Sequence, residues 1–195
     1  MTKTTEITSK LWEMANKLRG TMDASEYKNY ILPFMFYRYL SEHQDDYIRK
    51  NGIEDFYQNP EDIEEYYEDI ARSLGYVIEP QFTWTAIVDS IENHKIKASD
   101  FQDMFEAFHK HAKRNTDSEQ EFANVFFDVN LGDTRLGSGT NERAKALNDI
   151  VLMINEFDFK DESGHDILGD VYEYLIGQFA ANAGKKGGEF YTPHE

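Results

Sequence analysis

Apolar residues recur along this chain at intervals of three and four, so the pattern predicts helices almost throughout. Between positions 4 and 19, Ile7, Leu11, Trp12, Ala15 and Leu18 make one stripe; Thr5 or Thr8 can cap it and Gly20 is placed to end it. A second helix starts at Asp23 or Ser25 and puts Tyr27, Tyr30, Ile31 and Phe34 on one face. Pro33 has no backbone N–H to give an α-helix, so a kink or a restart is expected there. From Phe34 to Leu40 the segment is apolar nearly all round, which marks the central helix of a core.

Asn51-Gly52 and Asn59-Pro60 then signal turns. After them Ile63, Tyr66, Tyr67 and Ile70 lie among Glu61, Asp62, Glu64, Glu65, Glu68 and Asp69, the pattern of an acidic amphipathic helix, and Gly75 breaks it. Tyr76-Val77-Ile78 and Phe82-Thr83-Trp84 lean towards β structure and predict a small extended excursion. Helical periods return over 85–93 and 99–114, with Phe101, Met104, Phe105 and Phe108 sharing a face. Ser118 and Glu121 form a capping-box pattern ahead of Phe122, Val125 and Phe126. A Gly-rich loop over 131–140 precedes a helix over 141–155, which Thr140 is expected to cap and Leu147, Ile150, Val151 and Ile154 to bury. Phe157 to Gly164 reads as a hinge into a last helix. Asp166 opens it, Ile167, Val171, Tyr174, Leu175 and Phe179 form its buried face, and Gly184 closes it. The expected fold is mainly α: a multi-helix domain over residues 1–160, then a junction helix within 161–195.

Composition narrows the function classes. Hydrophobic residues make up 40%, enough for a real core and against wholesale disorder. No cysteine is present, which excludes disulfides, thiolate metal sites and cysteine catalysis. No apolar run approaches the ~20 residues of a membrane span, and residues 1–10 have no apolar centre for a signal peptide, so a cytoplasmic location is expected. The formal net charge is −17, unevenly spread: residues 1–50 carry 8 basic and 7 acidic groups, residues 51–100 carry 3 and 12. DNA binding draws on basic surface, because neutralising phosphates releases counterions. Any DNA contact is therefore expected from a local face within residues 1–50, with Lys10, Lys17 and Arg19 either phosphate contacts or a solvated face. The acidic stretch is either a solvated face or a surface for a basic partner.

Chemistry-bearing constellations are few. His109 and His111 sit two apart, ~200° around a helix, so they cannot chelate one metal ion. The loop with Gly132, Gly137 and Gly139 has the glycine density of a phosphate loop, but Ser138 stands where a P-loop requires lysine. The tail is more suggestive: Gly184-Lys185-Lys186-Gly187-Gly188, then Glu189-Phe190-Tyr191-Thr192-Pro193-His194. Adjacent glycines let a backbone pass close to another surface; Phe190 and Tyr191 offer flat faces for stacking, Thr192 offers hydrogen bonds, and Pro193 fixes the exit direction. On chemistry alone this is either a wall of a small-molecule pocket or a helix stop with a loop beyond it.

The run from Leu168 to Pro193, LGDVYEYLIGQFAANAGKKGGEFYTP, resembles the junction between the N-terminal helical domain and the methyltransferase domain in the modification (M) subunit of type I restriction-modification systems. The opening agrees: Leu11-Trp12, Ala15 to Gly20, Glu26-Tyr27-Lys28 and Tyr39-Leu40-Ser41 resemble that family's first helices. The resemblance is dense over 7–41 and 166–194, and rests on order and spacing between them. It implies the N-terminal part of such a subunit, with 161–195 as the start of a Rossmann-like, S-adenosyl-L-methionine-dependent methyltransferase domain. The intact subunit would methylate N6 of adenine in DNA, working with a specificity (S) subunit, a second modification subunit and a restriction (R) subunit. Glu189, Phe190, Tyr191, Thr192, Pro193 and His194 would touch the cofactor, although the family often has Arg where His194 stands. The family's Asp-Pro-x-x-Gly-Ser-Gly loop and Asn-Pro-Pro-aromatic motif do not occur; Asn59-Pro60 is followed by Glu61. This portion is therefore expected to hold no catalytic residue, to bind cofactor weakly or not at all, and to serve assembly and DNA clamping. The alternative from the charge is a stand-alone acidic interaction or DNA-mimic domain without catalysis.

Overall fold

The computed structural model describes residues 24–115 and 122–157, with the single positions 9, 13, 16 and 170. Among the described residues there are five α-helices and no strand: α1 (Ala24–Lys50), α2 (Ile63–Leu74), α3 (Trp84–Glu92), α4 (Asp100–Ala112) and α5 (Thr140–Asn155). Short 3₁₀ turns at Glu54–Gln58 and Pro80–Phe82 join them. The mainly-α expectation holds. The expected helix over 4–19, the capping box at Ser118, the hinge beyond Phe157 and the closing helix lie outside the described residues.

The 27 residues of α1 make it the axis of the domain. Phe34, Met35, Phe36 and Tyr37 are consecutive and fully buried, so side chains leave the helix in every direction into packed surroundings. A helix apolar all round is stable only when covered all round, and α3, α4 and α5 supply the cover. Their contribution is Ile87, Val88 and Ile91 from α3, Phe101, Met104, Phe105 and Phe108 from α4, and Leu147, Ile150, Val151 and Ile154 from α5. Rings dominate the contacts: Phe105 stacks on Phe126 with centroids 4.8 Å apart, and Phe108 meets Phe126 edge-on at 5.1 Å and stacks on Tyr76 at 5.4 Å. Such pairs add about 0.5–1.5 kcal/mol each beyond their burial.

Pro33 does not break α1; the helix runs through it. The lost hydrogen bond costs ~3 kcal/mol, but Pro33 is buried with fully buried neighbours on both sides, and burial of one large apolar side chain yields about 1.5–3 kcal/mol. Packing therefore outweighs the local penalty.

The acidic amphipathic helix forms as α2. Only Tyr67, Ile70 and Ala71 are buried on it; with Ile48, Phe56 and Val77 they make a second, smaller cluster. Gly75 ends α2 at φ +90°, and its N–H returns to the Ala71 carbonyl at 2.8 Å. A left-handed residue at that position is one that glycine adopts without steric cost.

The β-leaning segment after Gly75 finds no strand partner. Tyr76, Val77 and Ile78 are buried nonetheless, and a side chain does what a neighbouring strand would do. The Ile78 N–H donates to Gln44 Oε1 at 2.7 Å and the Ile78 carbonyl accepts from Gln44 Nε2 at 3.0 Å. The Tyr76 hydroxyl donates to the Leu40 carbonyl at 2.8 Å. The segment then turns into α3, which Thr83 caps by accepting the Ala86 N–H at 3.2 Å. Thr140 is not a cap: it lies inside α5, and the cap position falls to Gly139, whose carbonyl accepts the Arg143 N–H at 3.0 Å. The loop before α5 is packed closely. A Cβ on Gly137 would meet Glu142 Cβ at 2.6 Å and Arg143 N at 2.8 Å, so only glycine fits there.

Candidate functional site

The six positions expected to touch a cofactor, Glu189 to His194, lie outside the described residues, as do Lys10, Trp12, Lys17 and Arg19. The described residues bring together three other arrangements: a junction at the end of α5, a clamp across the acidic helix, and a cleft beside the C-terminal part of α1.

The junction centres on Arg38. Its position on α1 aims the guanidinium at the C-terminus of α5, where carbonyls have no partner within the helix and the dipole favours a cation. One terminal nitrogen donates to the Ile154 carbonyl at 2.7 Å and to the Phe157 carbonyl at 3.0 Å. Nε donates to Glu42 at 2.9 Å, fixing the fork from behind. Alongside, the Trp84 indole N–H donates to Asn155 Oδ1 at 3.0 Å, tying α3 to the same end. Two elements, α1 and α3, thus hold the C-terminal end of α5.

The clamp joins α2 to α4. Arg114, just past α4, reaches back to Glu64 at 3.0 Å and to Glu68, and its guanidinium lies 5.5 Å from the centre of the Tyr67 ring. Its Nε–H donates to His111 Nδ1 at 2.9 Å, and His111 Nε2 is 2.7 Å from Glu79 Oε2. Because Nδ1 accepts, the proton of the neutral imidazole sits on Nε2 and is donated to Glu79. That hydrogen bond holds the Glu79 carboxyl below the usual glutamate range, against the raising effect of its burial. His109 serves packing: its Nε2 accepts the Phe126 N–H at 3.2 Å, and burial lowers its pKa. Both histidines are structural, and among the described residues no group of three or more His, Cys, Asp or Glu is placed to hold a metal ion.

The cleft, about 610 Å³ in volume, lies among the C-terminal part of α1, the first 3₁₀ turn and the start of α3. Ile48, Pro80 and Ala86 give it an apolar lining, and Asp45, Glu54, Asp89 and Arg49 its charges. The Tyr57 hydroxyl donates to Asp45. Nearby, the exposed Tyr66 hydroxyl donates to Asp55 at 2.6 Å, and that bond, ahead of any burial, pushes the phenol up to about 12.

Arg38, Gln44, Arg114 and the Glu79–His111 pair are not visible in sequence as sites. Arg38 stands out there only as the one cation inside an aromatic run.

A covered central helix and a helix, α5, held at its C-terminus by Arg38 define an all-helical arrangement among the described residues. The family model described as the HsdM N-terminal domain matches residues 7–154, and the one described as N-6 DNA Methylase matches residues 163–195. The chain belongs to the HsdM family of type I restriction enzyme methylase subunits. It is 34% identical to the type I restriction enzyme MpnII methylase subunit of Mycoplasma pneumoniae, over 97% of this chain and 37% of that protein. It is 27% identical to the MjaIX methylase subunit of Methanocaldococcus jannaschii, over 97% of this chain and 34% of that one. The crystal structure of the type I restriction-modification system methyltransferase subunit from Streptococcus thermophilus superimposes with a TM-score of 0.69 at 27% identity, covering 99% of this chain and 42% of its own. The chain thus spans between 34 and 42% of the length of these proteins. No helix among the described residues is long and apolar enough to cross a membrane.

Proposed function

We propose that this chain is the N-terminal part of a type I modification subunit whose intact form methylates N6 of adenine in DNA. Residues 1–160 serve subunit assembly and clamping of DNA; residues 161–195 begin the methyltransferase domain. The observation that carries this reading is the succession of two family matches in one chain, 7–154 and 163–195. Specificity, second modification and restriction subunits are the proposed partners, and the assembly works in the cytoplasm.

S-adenosyl-L-methionine supplies the methyl group when bound. Glu189 to His194 would hold it, and their chemistry suits such a ligand: Phe190 and Tyr191 give flat faces to an adenine ring, and Thr192 gives a hydroxyl to a polar edge. These residues would make only one edge of a pocket. Calorimetry on this chain alone should therefore show binding weaker than micromolar; micromolar affinity overturns the division proposed here. The acidic middle of the chain argues for protein rather than phosphate as its contact, because carboxylates repel a DNA backbone. Co-purification of the chain with a tagged specificity subunit or a second modification subunit tests the assembly role, and monodisperse chain that captures neither overturns it.

A further inference from the structure

The end of α5 is held from outside the helix. Its last turn carries no basic residue, and its C-cap residue is Glu156, whose charge the helix dipole disfavours at that end. The cation comes instead from α1, 116 positions away. The Arg38 side chain is only 13% exposed; it pairs with the partly exposed Glu42 and gives one terminal nitrogen to the Ile154 carbonyl at 2.7 Å and the Phe157 carbonyl at 3.0 Å. The Ile154 carbonyl also accepts the Phe157 N–H at 3.0 Å, so the chain turns at the helix end and Arg38 closes the turn. Phe157 packs against the large core cluster, and the Trp84 indole holds the Asn155 side chain at 3.0 Å. Water can satisfy the free carbonyls of a helix end. A largely buried guanidinium is a costlier device, and what it adds is a fixed path for residues 154–157.

We propose that Arg38 is a positioning residue for methyl transfer: by holding residues 154–157 it sets the orientation of the methyltransferase domain against the helical one. The first family match ends at residue 154, one of the two whose carbonyls Arg38 holds, and the second begins at residue 163, shortly beyond the other, Phe157. A stretch that short reaches at most ~20 Å, so the path fixed at Phe157 limits where the second domain starts. Arginine suits the task better than lysine, because its rigid fork serves carbonyls and a carboxylate at once. The inference rests on the proposed function in taking residues 163–195 as the start of a methyltransferase domain.

The test uses the intact subunit assembled with its specificity subunit, labelled S-adenosyl-L-methionine and DNA. Arg38→Gln should assemble and keep the parent's KM for cofactor, with kcat lowered roughly tenfold or more. Arg38→Lys, which keeps the charge and loses the fork, should fall between the two. Trp84→Phe keeps a ring in the core and removes the indole N–H, and should lower kcat by less than Arg38→Gln does. Val151→Ala is the control: Val151 is buried on the same helix and makes none of these hydrogen bonds, so its truncation should lower the unfolding midpoint and leave kcat unchanged below it. In this chain alone, Arg38→Gln should speed amide exchange at Glu156 and Phe157 while α4 stays protected. Three results would overturn the inference: parental kcat in Arg38→Gln, an equal loss of kcat in Val151→Ala, or unchanged exchange at Glu156 and Phe157. A parent complex that transfers no methyl group overturns the proposed function itself, and this inference with it.

Discussion

The two apolar clusters of this domain are held by different means. Around α1 the large cluster is ring against ring, with its polar atoms confined to a few paired groups such as Ser41, which accepts the Trp84 N–H at 2.8 Å. Under α2 the smaller cluster has one fully buried ring, Phe56, and a narrow apolar stripe above it. There directional contacts do the fixing. Arg114 spans Glu64 and Glu68, the Asn115 side-chain amide donates to the Ala71 and Arg72 carbonyls at 3.0 and 2.9 Å, and His111 meets Glu79. Exposed ion pairs contribute little stability, so this clamp sets the register of the acidic helix more than it strengthens the fold. A highly charged face is carried on the domain at small cost, provided its helix is pinned at both ends.

Truncating a ring in each cluster separates them most clearly. Phe108→Ala should destabilise the whole domain by about 3–5 kcal/mol, the usual loss for a buried phenylalanine, with every probe of denaturant unfolding shifting together. Phe56→Ala should act locally: amide exchange should accelerate along α2 while α5 stays protected. Uniform acceleration would show that the two clusters are one cooperative unit. Next in size is Gln44→Leu, which keeps the volume but strands the Ile78 N–H and carbonyl. With about 1–3 kcal/mol for each of the two buried groups left unpaired, a loss of about 2–6 kcal/mol is expected in chemical denaturation.

The Glu79–His111 pair gives the clamp a pH signature. Glu79 titrates below its ordinary value when folded, so the unfolded chain binds its proton more readily. Its contribution is complete above the unfolded glutamate value, about 4.3, and is lost as pH falls through the lowered folded value. Acid unfolding of Glu79→Gln should therefore be less steep between about pH 5 and 3 than that of the parent; an unchanged slope would show that the pair carries no linkage. The smallest effect is expected from Arg114→Gln. Its partners Glu64 and Glu68 are exposed, so the loss should be ~1 kcal/mol or less, and smaller still at high salt.

The contrast also explains what the sequence made legible. Helical spacing located α1, α2, α3, α4 and α5, and identified the buried quartet Leu147, Ile150, Val151 and Ile154, because burial on one face writes itself into periodicity. At Pro33 the helix does not restart, since its local penalty is visible in sequence and the packing that overrides it is not. The run at Tyr76, expected as a small extended excursion, is non-helical and buried, but its hydrogen-bonding partner, a glutamine side chain on a helix, was not legible. Arg38 and Arg114 find partners far along the chain, at separations of 116 and 50 residues. No local pattern records such pairings. The family, by contrast, was legible from short motifs near the two ends.

One assay addresses the proposed adenine methylation directly. The intact subunit, assembled with its specificity subunit, is given radiolabelled S-adenosyl-L-methionine and genomic DNA, and the digested DNA is scored for labelled N6-methyladenine. Incorporation is expected that requires residues 7–154 and falls sharply when Tyr191 is changed to alanine. Assembled complex that leaves adenine unlabelled, or places the label on another base, would contradict it.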